Sequence, residues 1–355
     1  MIQIGDYGKY ETVPRIVEDI IKGDTEALDR QLAARWKLNN AIELSERTRL
    51  LPIEIALIVK QERSVEWLVE HGAELNTPNH LSFLTALRYC DSHAFIRYLV
   101  EHGAKIDGDA FQQALYGKKY ENLPLIHELG HTVQEYGGGA FRSAVLDRDY
   151  RACDFFMENG VDVNYNKRDQ VFPLNQTPLC VAALYADLKM AKYLVEHGAD
   201  VTLADKEGMR PYNLAVERGD KEMAAYFKSL EPVDFHDLQN KLLELKGYKL
   251  PKPLLDFLQG DALRIDFKNP GKYDARFVEF FPLVDTVPMK IKRQNMLRIS
   301  REVDNYGSLY IVWHPKTKHI GCYDMEHEEF HDIAPFEDFI GDAEGYLHKV
   351  ICGET

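Results

Sequence analysis

The chain has five cysteines (Cys90, Cys153, Cys180, Cys322 and Cys352) but no CxxC pair, so neither a zinc knuckle nor a disulfide framework is written into it. No stretch reaches the roughly 18–20 apolar residues needed to span a bilayer. The opening "MIQIGDYGKYETVPRIVEDI" has no basic segment followed by an apolar core, so no signal peptide is visible. A basic excess is missing too. Lys and Arg total 43 against 57 Asp and Glu, and the net charge of −14 has the wrong sign for gripping phosphates. No Ser or Cys carries the flanking residues of a nucleophile elbow. These absences lead to the expectation of a soluble, monomeric cytoplasmic protein that is not an enzyme, uses no cofactor, and binds neither nucleic acid nor membrane. Any charged partner should be basic.

What is present is a repeat. Four segments align: "VEWLVEHGAELN" (65–76), "FIRYLVEHGAKID" (95–107), "CDFFMENGVDVN" (153–164) and "AKYLVEHGADVT" (191–202). Their glycines, Gly72, Gly103, Gly160 and Gly198, are 31, 57 and 38 residues apart, so the unit is about thirty residues and one copy is hidden. Apolar residues before each Gly recur at helical spacing, and Gly closes a helix cheaply in the left-handed conformation. In "QTPLCVAALYAD" (176–187), "MRPYNLAVERGD" (209–220) and "LPIEIALIVKQ" (51–61), a Pro stands at the first helical position, where it forfeits no hydrogen bond. Each unit therefore reads as helix, tight turn, helix, Gly stop and extended loop.

This pattern resembles the ankyrin repeat. "TPLCVAA" (177–183) is similar to that family's Thr-Pro-Leu-His-x-Ala-Ala, with Cys180 in the His place, and "LVEHGADVTLADKEGMRP" (194–211) resembles its second helix and exit. About seven units fit between residues 13 and 230, the first a degenerate cap in "VEDIIKGDTEALDRQL" (17–32). One loop is extended, "YNKRDQVFPLN" (165–175), and insertions in such arrays fall on the loop face, which is often the binding face.

Two H-E-x-x-H matches test this reading. In zinc proteases that spacing puts two imidazoles and a general base on one helical face. The first lies in "LIHELGHTV" (125–133). Aligning Gly130 with Gly72 puts His127 in the place of Val69 and His131 beyond the helix stop, which identifies the hidden repeat. A third ligand such as Glu158 would belong to the next unit. "GGGAF" (137–141) lacks the Lys and Ser/Thr of a phosphate-binding loop and reads as a loop between units. The second match, "HEEFH" (327–331), is crowded by Glu326, Glu328 and Glu329, with Pro335 just beyond, and reads as a loop after a strand.

The repeat stops at "FKSLEPVDFHD" (227–237), which divides the chain into a repeat domain, 1–232, and an α+β domain, 233–355. In the second part, "FHDLQNKLLELKGYKLPKPLLDFLQG" (235–260) reads as two helices around a Pro break. "FVEFFPL" (277–283), "GSLYIVWH" (307–314) and "HIGCYDM" (319–325) read as strands, and "PFEDFIGDAEGYLHKVI" (335–351) as a closing helix. "LPKPLLDFL" (250–258), "YGSLYIVWHPKTKHIGCYDMEHEE" (306–329) and "IAPFEDFIGD" (333–342) resemble the entry, hairpin and closing helix of the SUKH superfamily. That group includes fungal cell-wall regulators and many bacterial immunity proteins. Residues 285–305 depart from its pattern, and the sequence leaves open whether they form an extra helix. The fold class expected is thus an α solenoid of ankyrin repeats followed by an α+β SUKH-like domain.

Both parts are acidic: residues 233–355 carry 16 Lys+Arg against 21 Asp+Glu, the remainder 27 against 36. The resemblances imply a protein-binding immunity protein that neutralises a toxin domain, such as a basic nuclease. A regulatory scaffold that assembles signalling proteins is the alternative, and a zinc hydrolase the distant third. Candidate partner-binding residues, taken from loops expected to be exposed, are Tyr165, Lys167, Arg168, Asp169 and Phe172, with Asp324, Glu326, Glu328 and Glu329.

Overall fold

The computed structural model describes residues 1–78, 80–185, 187–268 and 275–354, in two compact units, Met1–Tyr165 and Asn166–Thr355. The first unit holds helices α1 (Arg15–Lys22), α2 (Thr25–Ala33), α3 (Pro52–Ile58), α4 (Glu62–Glu70) and α5 (Ser82–Tyr89). It continues with α6 (His93–Glu101), α7 (Ala110–Tyr116), α8 (Asn122–Glu128), α9 (Val133–Leu146) and α10 (Tyr150–Glu158). Short hairpins β1–β2 (Ile2–Gln3, Lys9–Tyr10), β3–β4 (Ile42–Ser45, Thr48–Leu50) and β5–β6 (Asn76–Thr77, His80–Leu81) lie between them.

Most of these helices are too short to persist alone in water, so stacking holds them. The odd-numbered helices pack in series, α1 on α3, α3 on α5, α5 on α7 and α7 on α9. Accordingly α3, "PIEIALI", is buried along its whole length. Three of the even-numbered helices, α2, α6 and α10, begin on a repeated cap. Asp24, Ser92 and Asp149 accept the backbone N–H groups of Ala27, Phe95 and Ala152 at 2.9, 3.2 and 3.1 Å.

Two of the even-numbered helices, α4 and α6, end on a second device. His71 and His102 sit in the cap position, bond through Nδ1 to the carbonyls of Trp67 and Tyr98 at 2.7 and 2.8 Å, and lie against those aromatic rings. Each ring satisfies a carbonyl at the helix end before the glycine turns away. "GGGAF" is no loop: Gly137 and Gly138 lie buried within α9. A Cβ at Gly138 would meet the Tyr165 ring at 2.2 Å, so the glycines serve close packing rather than a turn.

The second unit opens with two more helical pairs, α11 (Pro178–Tyr185) with α12 (Leu188–Glu196) and α13 (Pro211–Arg218) with α14 (Lys221–Leu230). The same devices recur. Asp187 and Asp220 cap α12 and α14, and His197 closes α12 on the Tyr193 carbonyl at 2.7 Å. Beyond Pro232 the elements change to α15 (Leu238–Glu244), α16 (Lys252–Leu258), α17 (Phe336–Gly341) and α18 (Ala343–Cys352) around two antiparallel sheets. A three-stranded sheet has the order β11-β8-β7, from β7 (Arg264–Asp266), β8 (Phe277–Phe280) and β11 (Ser300–Val303). A five-stranded sheet has the order β14-β13-β12-β10-β9. Its strands are β9 (Val287–Ile291), β10 (Gln294–Arg298), β12 (Leu309–His314), β13 (His319–Asp324) and β14 (Glu329–Ala334).

The stretch 285–305, which the sequence left open, is occupied mainly by β9, β10 and β11 and contains no α-helix. The turn between β9 and β10 is Lys292-Arg293, both with positive φ (46° and 68°), a position usually marked by Asn or Gly. The residues that would have betrayed the hairpin are absent. "HEEFH" also differs from expectation, because it runs from a turn into β14. The closing helix is two: it breaks at Asp342, which caps α18 by accepting the Gly345 N–H at 3.1 Å.

The five-stranded sheet has two dissimilar faces. Leu297, Ile311, Trp313, Ile320 and Cys322 join Ile299 in a core with Leu254, Leu258, Phe336, Phe339 and Leu347 from the helices. Met289, Ile291, Met296, Tyr310 and Val312 form a smaller cluster on the other face, edged by Tyr323, Met325 and Phe330. Among the described residues no helix is long and apolar enough to cross a membrane.

Candidate functional site

The first H-E-x-x-H cannot act as a zinc motif. Helix α8 stops at Glu128 and Gly130 is left-handed (φ 92°), so His127 and His131 do not share a helical face. His127 is half-buried, as is Val69 in the aligned repeat, and its Nδ1 accepts the Val133 N–H at 3.2 Å. His131 is buried and stacked on Tyr136, with ring centroids 3.8 Å apart. Burial lowers its pKa and favours the neutral ring. In the second motif, His327 pairs with Asp324 at 2.7 Å across a turn while His331 lies on β14. Among the described residues no group of three or more His, Cys, Asp or Glu is arranged to hold a metal ion.

The candidate loops divide by burial. In the extended loop Lys167 and Arg168 are exposed, and Tyr165 is half-buried with the Arg142 guanidinium 4.8 Å from its ring centre. Asp169 spends Oδ1 on the backbone N–H groups of Val171 and Phe172, at 2.9 and 2.7 Å. That turn tucks Phe172 into the interior at 2 % exposure, which corrects its place among the surface residues. An aromatic residue in a polar loop here anchors the loop.

In the acidic turn between β13 and β14, Asp324 Oδ1 accepts the N–H groups of Glu326 and His327 at 2.9 and 3.2 Å. Partial burial works against its charge, but the His327 ring and those N–H groups prevail and hold its carboxyl below the usual value. Glu326, Glu328 and Glu329 project into solvent.

Sequence reasoning missed a buried ionic centre. Arg298, at 3 % exposure, ion-pairs with Glu217 of α13 and donates to the carbonyls of Ser300 and Arg301 at 3.1 and 3.2 Å. Its guanidinium carbon lies 3.5 Å from the centre of the Tyr310 ring. Arg301 reaches Glu279 at 2.6 Å and the Glu217 carbonyl at 3.4 Å. Read as a helix, "NMLRIS" (295–300) hides this arrangement. Read with period two, it puts Met296 and Arg298 on one face and Leu297 and Ile299 on the other.

Two further carboxyls lie near Arg298. Burial pushes Asp205 up to about 6 and Glu207 up to about 7, with neighbouring carboxylates adding to the effect and Arg298 opposing it. Tyr310, whose pKa burial raises, donates its hydroxyl to Glu207. The native chain therefore holds protons that the unfolded chain releases, so this contribution to stability is complete at low pH and is lost as pH rises through 7. Glu207→Gln is expected to raise the melting temperature at pH 8, with the gain vanishing below the ordinary glutamate value of 4.5. Melting curves of both proteins across that range provide the check, and a gain that does not change with pH would show that Glu207 carries no displaced proton.

Residues 141–235 match the family model for ankyrin repeats in three copies. Among solved structures, the chain is similar to the ankyrin repeat domain of human ASB11 at 18 % identity. That match covers 62 % of this chain and 84 % of the other, with a TM-score of 0.28.

Proposed function

We propose that the chain is a non-catalytic protein-binding protein, an immunity protein that captures and neutralises a basic toxin domain in the cytoplasm. In this reading it acts as a monomer, with a repeat domain over 1–232 and a SUKH-like domain over 233–355. The observation that carries the proposal is the turn at Glu326, Glu328 and Glu329, three exposed carboxylates side by side on a chain of net charge −14. Such a surface draws a basic partner by long-range attraction and blocks its phosphate-binding face. The ankyrin repeats over 141–235 support a protein partner, since stacked repeats present an extended binding surface. Lys167, Arg168 and Asp169 of the extended loop, with Tyr165 beside it, are proposed as further contacts.

The test is co-expression with a toxin encoded beside the chain's gene. The expected result is rescued growth and a complex that survives gel filtration. A complex without rescue would favour a scaffold, and failure with every neighbouring toxin would remove the immunity reading. Changing Glu326, Glu328 and Glu329 together to Lys should slow association about tenfold or more at low salt. Stopped-flow mixing at two ionic strengths measures this, and an unchanged rate would place the contact elsewhere.

A further inference from the structure

Within the second unit lies a cavity of about 370 Å³, lined by α13, the sheet face carrying Tyr310, and the loop before α13. Both segments singled out from the sequence reach it. Leu174 and Gln176, where the extended loop ends, line it together with Met325, where the acidic turn begins.

The charges lining it do not balance. Arg298 is engaged by Glu217, Arg301 is turned to Glu279, and Arg218 donates to the Leu184 carbonyl. No ion pair to a cation is formed by Asp205 or Glu207 among the described residues. Asp205 is 8 % exposed, and both of its hydrogen bonds, from the N–H groups of Glu207 and Met209 at 2.9 and 3.0 Å, go to Oδ1. Its Oδ2 accepts no hydrogen bond among the described residues, yet is not among the buried atoms closed off from solvent. Asp205 Oδ2 is therefore an acceptor that no protein group occupies, open to the cavity and available to an N–H donor of a cation that enters it.

The lining narrows the choice of ligand. Phosphates and acidic groups are repelled by Asp205, Glu207, Glu217 and Glu302. Tyr310 and Tyr185 supply aromatic surface, while Met209 and Met325 are thioethers that adapt to an alkyl chain. Two neighbouring carboxylates match a planar fork of N–H donors better than a point charge. We infer that this cavity receives an arginine side chain of a bound protein, with Asp205 Oδ2 and Glu207 as the acceptors. The inference rests on the basic partner proposed above and names where one of its side chains is seated.

A small probe tests the cavity without the partner. The full chain, with its methionine methyl groups labelled with carbon-13, is titrated with N-acetyl-arginine amide and followed by NMR at pH 7.5. Saturable shifts confined to Met209 and Met325 are expected, with a dissociation constant on the order of 1 mM. Asp205→Asn keeps the Oδ1 acceptor, and Glu207→Gln keeps an acceptor for Tyr310. Each should weaken binding about tenfold while leaving the remaining methyl signals in place. The neutral isostere N-acetyl-citrulline amide should not bind.

Binding should also weaken as pH falls below 7, because Glu207, which faces Asp205, Glu217, Arg298 and Tyr310, then holds its proton. Methyl signals that do not move, or equal binding of the citrulline probe, would overturn the assignment even if toxin rescue succeeds. Conversely, arginine binding without toxin rescue would keep the cavity and discard the immunity reading.

Discussion

Arg298→Ala is expected to lower unfolding stability by about 3–5 kcal/mol, the usual cost of breaking a buried ion pair by removing one partner. The residue is a large one for its site: 3 % exposed, paired with Glu217, bonded to two backbone carbonyls and stacked on Tyr310. Truncation leaves Glu217 among Asp205 and Glu207 with no guanidinium between them, so three carboxyls must share one confined space. The loss should therefore deepen as pH rises from 5 to 8, as Asp205 and Glu207 shed their protons. Arg298→Lys should recover only part of it, because an ammonium cannot reproduce the planar fork or the stacking on Tyr310. Denaturant unfolding at the two pH values, read by near-ultraviolet signals of the C-terminal aromatics, gives the measurement. A loss under about 1 kcal/mol would mean that the ion pair is solvated and contributes as a surface pair does.

Trp313→Ala carries a comparable expected loss, about 3–5 kcal/mol, for a different reason. Trp313 lies at 1 % exposure in the core between the five-stranded sheet and the helices, so its removal leaves a large cavity in a close-packed region. Its Nε1–H also donates to the Tyr248 carbonyl at 2.8 Å, tying β12 to the segment between α15 and α16. Trp313→Phe separates the two effects. It keeps most of the ring and should cost about 1–3 kcal/mol for the unmet carbonyl and the smaller volume. If the alanine and phenylalanine variants unfolded together, packing against the helices would not be the source of the stability. Unlike the Arg298 variant, neither should show a pH dependence beyond that of the parent, since no titrating group loses a partner.

These two residues mark where sequence reading worked and where it stopped. "GSLYIVWH" (307–314) is dense in aromatic and β-branched residues, and the strand was legible without any tertiary information. Arg298 sits in "KIKRQNMLRISR" (290–301), where the basic residues read as a solvated surface run and the hairpin turn is made by Lys292 and Arg293 with positive φ. No turn signature exists for that pair, so the strand register, and with it the inward-facing arginine, could not be recovered. Phe172 failed the other way, since its polar surroundings concealed an anchor.

What the sequence determined by itself is the repeat. The aligned glycines, the helical spacing before them and Pro at helix starts fix local conformation, and Gly130 marked the stop that the structure shows just after the end of α8. Local backbone preference is a property of a few adjacent residues, so it can be read in one dimension. The charge centre belongs to the tertiary structure. Asp205, Glu207 and Glu217 become distinctive only when β10 brings Arg298 from 81 or more residues away, because burial and Coulomb coupling depend on distance in space and not on order along the chain.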